Sequence, residues 1–98
     1  MTIRFGLLAS LEAKPDRGSE LGAFLENGRA IAASEPGTVT WYAFKINETS
    51  YGIFDNFETE AARQTHLDGE IPKALAQVGP DLLARDPDIR LIEVVAVK

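Results

Sequence analysis

The sequence predicts an α+β domain with the element order β-α-β-β-α-β, and three observations carry that prediction. Apolar residues alternate with a period of two near both ends of the chain and through its middle, and recur at helical spacing between. Lys14-Pro15-Asp16-Arg17-Gly18, Glu35-Pro36-Gly37 and Asp86-Pro87-Asp88 punctuate the changes of period. Finally, 98 residues that are 45% hydrophobic and 26% charged make one ordinary core, so a single domain over residues 1–98 is expected.

The first strand reads from Ile3 to Ala13, with Ile3, Phe5, Leu7, Ala9 and Leu11 on one face and Arg4, Gly6, Leu8, Ser10 and Glu12 on the other. After the Pro-Asp-Arg-Gly turn, Ser19 or Asp16 can cap a helix running to Ser34. Its stripe is Leu21, Phe24, Leu25, Gly28, Ile31 and Ala32, and Glu20 suits the positive end of its dipole. Pro36 ends the helix by disfavouring α geometry at Glu35. Strands Thr38 to Ile46 and Ser50 to Phe57 follow, rich in β-branched and aromatic residues and joined by Asn47-Glu48-Thr49 as a hairpin.

Thr59 can cap a second helical region from Glu60 towards Leu67. Gly69 and Pro72 divide that region in two, and its stripe continues through Leu75, Val78 and Leu82 to Leu83. The helix charges Glu20, Glu26 and Arg63 read as a solvated face. The last strand spans Ile89 to Lys98. This order is that of the ferredoxin-like split βαβ, a four-stranded antiparallel sheet with both helical regions on one face. The second and fourth strands are apolar on both sides, so the uncovered face predicts a symmetric homodimer packed sheet to sheet.

Composition excludes several functions. Ten basic against fifteen acidic residues give a net charge of −5, which repels nucleic-acid backbones and anionic lipid. Without cysteine there is no disulfide, thiolate catalysis or iron–sulfur ligation, and a single histidine leaves no His pair for a metal. No flavin or nicotinamide fingerprint follows a strand. Phe5 to Leu11 is too broken by Gly6 and Ser10 for a secretory leader, and no run reaches the ~18 apolar residues of a membrane span. A cytoplasmic protein is expected, with Asn47-Glu48-Thr49 as turn chemistry instead of a glycosylation site.

The turn Lys14–Gly18, the Glu35-Pro36-Gly37 stop, the segment Asp55-Asn56-Phe57-Glu58-Thr59-Glu60-Ala61 and the pair His66-Leu67 occur in this order and spacing. Together they resemble the antibiotic biosynthesis monooxygenase superfamily, dimeric α+β barrels of about this length. The resemblance spans nearly the whole chain. It implies oxygenation of quinol-like or polycyclic aromatic substrates without flavin, haem or metal. It departs from the family at Trp41-Tyr42, where tyrosine then glutamate is common, and at Phe57, where tryptophan is common. Members that degrade haem use an Asn on the first strand, a Trp and a His. This chain lacks that Asn and carries its only Trp on the second strand, which disfavours haem degradation.

Cofactor-free oxygenation needs a dry cavity, a proton acceptor and donors that hold the substrate anion. His66 is the first candidate, being the only side chain that titrates unperturbed near neutrality. Asp55 is the second proton acceptor, or else a partner for Arg90 or Arg4. Asn56, facing the other way, can orient a substrate oxygen. Trp41, Tyr42, Tyr51 and Phe54, with Phe44, can stack a flat ligand or form core and interface. A non-catalytic dimeric domain that binds a small ligand or regulates is the alternative.

Overall fold

The computed structural model describes residues 3–98. In β1 (Phe5–Glu12), alternation puts Leu7, Ala9 and Leu11 on one face, and all three are buried. It is followed by α1 (Gly18–Ala33), β2 (Thr38–Lys45), β3 (Ser50–Phe57), α2 (Glu60–Leu67), α3 (Glu70–Leu82) and β4 (Asp88–Glu93). The strands pair antiparallel in the order β2-β3-β1-β4. This is the expected ferredoxin-like α+β arrangement, with the second helical region split at Gly69. The core lies between the sheet and the helices, where Leu11 and Ile53 meet Leu21, Leu25, Leu75 and Leu83.

Local chemistry sets the boundaries. Asn47 Oδ1 accepts from the Thr49 and Ser50 N–H groups at 3.0 and 2.9 Å, which closes the β2–β3 hairpin. Thr49 Oγ1 donates to Glu12 at 2.6 Å and so ties the hairpin to the end of β1. Thr59 caps α2 as expected, its Oγ1 accepting from Ala62 N–H at 3.0 Å. Gly18 opens α1 against that same hairpin. A Cβ there would lie 1.8 Å from the Glu48 carbonyl oxygen, so only glycine lets the helix dock.

Four expectations change. Neither Ser19 nor Asp16 caps α1. Arg17 holds the N-cap position without a side-chain cap, and Asp16 takes the left-handed turn conformation at φ 66°. The first strand is shorter than Ile3 to Ala13, with Ala13 keeping only an isolated bridge to Leu83. The last strand ends at Glu93, where its partner β1 runs out at Phe5. Val94 N–H still reaches the Arg4 carbonyl at 2.7 Å, and beyond it Val95 is 92% exposed. Arg63 is buried instead of solvated. Its Nη1 donates to the Gly6 and Ile92 carbonyls, each at 3.2 Å, and its guanidinium stacks 5.3 Å from the Phe5 ring.

The apolar surface left over is wider than the open sheet face. On that face Tyr42 is 60% exposed and Phe44 joins it, beside half-buried Leu8, Phe54 and Ile92. On the helix side α2 reaches β4 through the Arg63 guanidinium at the Ile92 carbonyl, and Leu91 is left 59% exposed there. β4 thus keeps apolar surface exposed at Ile89 and Leu91.

Candidate functional site

Asp55 and Asn56 are adjacent on β3, so they face opposite ways. Asp55 pairs in register with Leu7 and Trp41, on the helix side, and is 1% exposed. Asn56 pairs with Gly6 and Thr40 on the open face, where its Oδ1 accepts from Thr40 Oγ1 at 2.9 Å. The Thr59 cap starts α2 so that His66, two turns on, points at the sheet and is 5% exposed. Its Nε2 lies 3.1 Å from Asp55 Oδ2 and its ring 5.4 Å from the Phe57 ring.

His66 Nδ1 lies 2.6 Å from Oε1 of Glu35, a residue the sequence offered only as a helix stop. Thr38 Oγ1 donates to the same oxygen at 2.8 Å. A neutral imidazole has one N–H, whereas two facing carboxylates need two donors, so this geometry suits the imidazolium. Burial works to lower the His66 pKa. The hydrogen bonds and charges of Asp55 and Glu35 outweigh it and raise the pKa above the usual imidazole value.

The sign of the resulting pH dependence follows. With a folded pKa above the unfolded one, the contribution of His66 is complete below about pH 6.5 and is lost as pH rises through the folded value. Urea titrations above about pH 6.5 are expected to show stability declining in the wild type and a flatter profile in His66→Gln. An identical decline in both proteins would assign it elsewhere.

His66 and Phe57, which is fully buried, pack together in the space between α2 and the sheet. The open groove lies instead between α1 and β2, with a volume of about 840 Å³. Trp41 and Tyr51 line it with Gly22 and Ala23, and Arg29 and Lys45 stand along it. Tyr42 borders it, but alternation with Trp41 carries its ring to the open face, with Phe54 and Asn56. Of the candidate residues, the helix side thus brings together His66, Asp55, Trp41 and Tyr51. Asn56, Tyr42 and Phe54 are separated from them by the sheet. Asp55 meets neither Arg90, which pairs with Asp88, nor Arg4, which pairs with Glu93.

Two buried polar atoms on the helix side of the sheet have no hydrogen-bond partner among the described residues. Asp55 Oδ1 and Trp41 Nε1 are both closed off from solvent and accept or donate no hydrogen bond. Their residues are cross-strand neighbours. Such atoms normally have partners.

No family model matches the sequence, and no curated protein does. Among solved structures, the chain is similar to NE2512 from Nitrosomonas europaea, a protein of unknown function. The two are 38% identical over 98% of this chain and 93% of that one, with a TM-score of 0.95. The chain belongs to the NE2512 family. It is also similar to a candidate antibiotic biosynthesis monooxygenase from Caulobacter crescentus (23% identity, 96% and 92% coverage, TM-score 0.80) and to PA3566 from Pseudomonas aeruginosa (18%, 98% and 98%, TM-score 0.83). At those identities the likeness concerns the fold, which is the antibiotic biosynthesis monooxygenase fold that the sequence resembled.

In this member of the NE2512 family, Glu35 is the residue that sequence reasoning missed. One signal was present: an acidic side chain just past a helix C-terminus opposes the dipole and needs another reason to be there. Arg29 and Lys45 carried no signal, because only the packing of α1 beside β2 brings them to one groove.

Proposed function

We propose that the chain is a cytoplasmic, cofactor-independent monooxygenase whose small aromatic or quinol-like substrate lies in the groove between α1 and β2. The observation that carries this reading is the unpartnered Asp55 Oδ1, a buried carboxylate oxygen on the cross-strand neighbour of Trp41. Trp41 lines the groove and Asp55 lies behind it, so the substrate hydroxyl must pass the indole to reach the carboxylate. A phenolic hydroxyl there donates to Asp55, which takes its proton as general base. Trp41 Nε1–H steadies the phenolate oxygen. His66 has no free nitrogen. It acts by holding Asp55 Oδ2, and Glu35 holds His66 in turn. The deprotonated substrate is reducing enough to pass electrons to dioxygen. A hydroquinone and dioxygen give a hydroxyquinone and water, the substrate losing four electrons and one oxygen atom leaving as water. Oxygen-electrode assays on the purified chain with a hydroquinone panel test this, with equimolar consumption of oxygen and substrate expected. Binding without oxygen consumption would leave the non-catalytic ligand-binding domain as the function.

The chain is further proposed to act as a homodimer that buries the open sheet face and β4. The support is the apolar surface at Tyr42, Phe44, Leu91 and Val95, too extensive for a soluble monomer. Sedimentation equilibrium at micromolar concentration is expected to give twice the 10.7 kDa chain mass, and Phe54→Asp to give the single mass. Single chains in the wild type would overturn the proposal. Among the described residues no helix is long and apolar enough to cross a membrane.

A further inference from the structure

β2 is an edge of the sheet, because the order β2-β3-β1-β4 gives it β3 as its one strand neighbour among the described residues. Successive backbone groups of a strand point to alternate sides, and Ile46 N–H points inward to the Ser50 carbonyl at 2.8 Å. β2 runs from Thr40 to Lys45 without a bulge, so the N–H and C=O groups of Trp41, Ala43 and Lys45 point outward. Among the described residues nothing bonds to them. The strand is eight residues long, has no proline and carries Lys45 as its one charge, so this edge is open to another strand.

The opposite edge of the same sheet carries the complement. Past Glu93, Val94 N–H donates to the Arg4 carbonyl, and Val95 to Lys98 make no backbone bond among the described residues. This segment is valine-rich, with Val95 92% and Val97 64% exposed, so it has the composition of a strand without a strand beside it. It cannot pair with its own β2, because β3 and β1 stand between and three strand spacings are about 14 Å. We infer that Val94–Lys98 of one copy pairs along the β2 edge of a second copy, each copy giving one segment and receiving one. The consequence reaches the groove. Trp41, Ala43 and Lys45 line it, and a strand added outside β2 sets alternate side chains beside them. Each groove is then walled on its open flank by residues of the other copy. This rests on the homodimer reading and goes beyond it, since a face-to-face dimer needs no exchange.

The sequence has no cysteine, so introduced pairs report without background. Ala43→Cys is combined in turn with Val94→Cys, Val95→Cys, Ala96→Cys and Val97→Cys. On mild oxidation at least one combination is expected to give a covalent dimer, and the single-cysteine variants far less. One chain cannot close that bond by itself, since a disulfide needs Cα atoms within about 7 Å. The double variant Ala96→Pro, Val97→Pro removes strand donors at positions that bond to nothing within the chain, so the core is untouched. It is expected to raise the dimer dissociation constant about tenfold, the size of one or two net hydrogen bonds. Acrylamide quenching of Trp41, the only tryptophan, should rise in the same variant. Wild-type dimers that cross-link in no combination, with the proline variant pairing as tightly, overturn the exchange and leave the face-to-face dimer standing. Unchanged quenching in a weakened proline variant overturns the shared groove. Single chains in the wild type remove the homodimer and the exchange together.

Discussion

His66→Ala is expected to lower the unfolding free energy by about 3–5 kcal/mol, the usual cost of removing one partner from a buried ion pair. For a domain of this size that corresponds to a fall in Tm on the order of 20 °C. The physical reason is the position of the imidazolium between two carboxylates, Asp55 at 3.1 Å and Glu35 at 2.6 Å. Without the ring, Asp55 is left as a buried anion with neither oxygen paired, and the apolar contact with Phe57 is lost as well. The same reasoning predicts a rescue. The double variant His66→Ala, Asp55→Ala should recover part of the loss, because it removes the uncompensated charge along with its partner. Thermal unfolding of the three proteins at one concentration measures this, concentration being held fixed because dimerisation would itself shift Tm. A double variant as unstable as the sum of its singles would mean that His66 acts through packing alone.

Asp55→Asn is expected to reduce oxygen consumption by about 10²-fold or more while the aromatic ligand still binds, since general-base assistance contributes about 10²–10⁴ in rate. The amide has almost the volume of the carboxylate, so packing around β3 survives and the comparison concerns chemistry. Asparagine can still present an oxygen to Trp41 or to the substrate, but it cannot take the proton. His66 cannot substitute for it, because both ring nitrogens are engaged. Full activity in Asp55→Asn with His66→Gln also active would remove the base from this wall altogether. Activity lost together with ligand affinity would place Asp55 in binding instead.

Much of the fold was legible because local chemistry and global packing agree along the chain. Thr59 caps where a threonine before Glu60 should, Asn47 closes the hairpin by side-chain acceptance, and Gly69 separates α2 from α3. Disagreement arose where a residue serves a distant partner. Arg63 sits among polar helix positions and reads as solvated, yet it reaches two carbonyls across β1 and β4. Val94 to Lys98 alternates as a strand, but β1 has no residues left opposite it. Within the site, the facing of Asp55 away from Asn56 followed from the period of two. That Asp55 is the one on the helix side did not, because a face is named only once the helices have packed.

The residue order alone determined the succession of strands and helices, the uncovered apolar strands and the separation of neighbouring polar residues onto opposite faces. These are consequences of periodicity and turn chemistry within a few residues of one another. Only the tertiary structure decided that Glu35, His66 and Asp55 converge, 31 and 11 positions apart along the chain, and that Arg29 and Lys45 share a groove with Trp41. Convergence over such separations depends on how α1 and α2 settle on the sheet. That docking comes from shape and burial summed over the whole core, which no local stretch of sequence encodes.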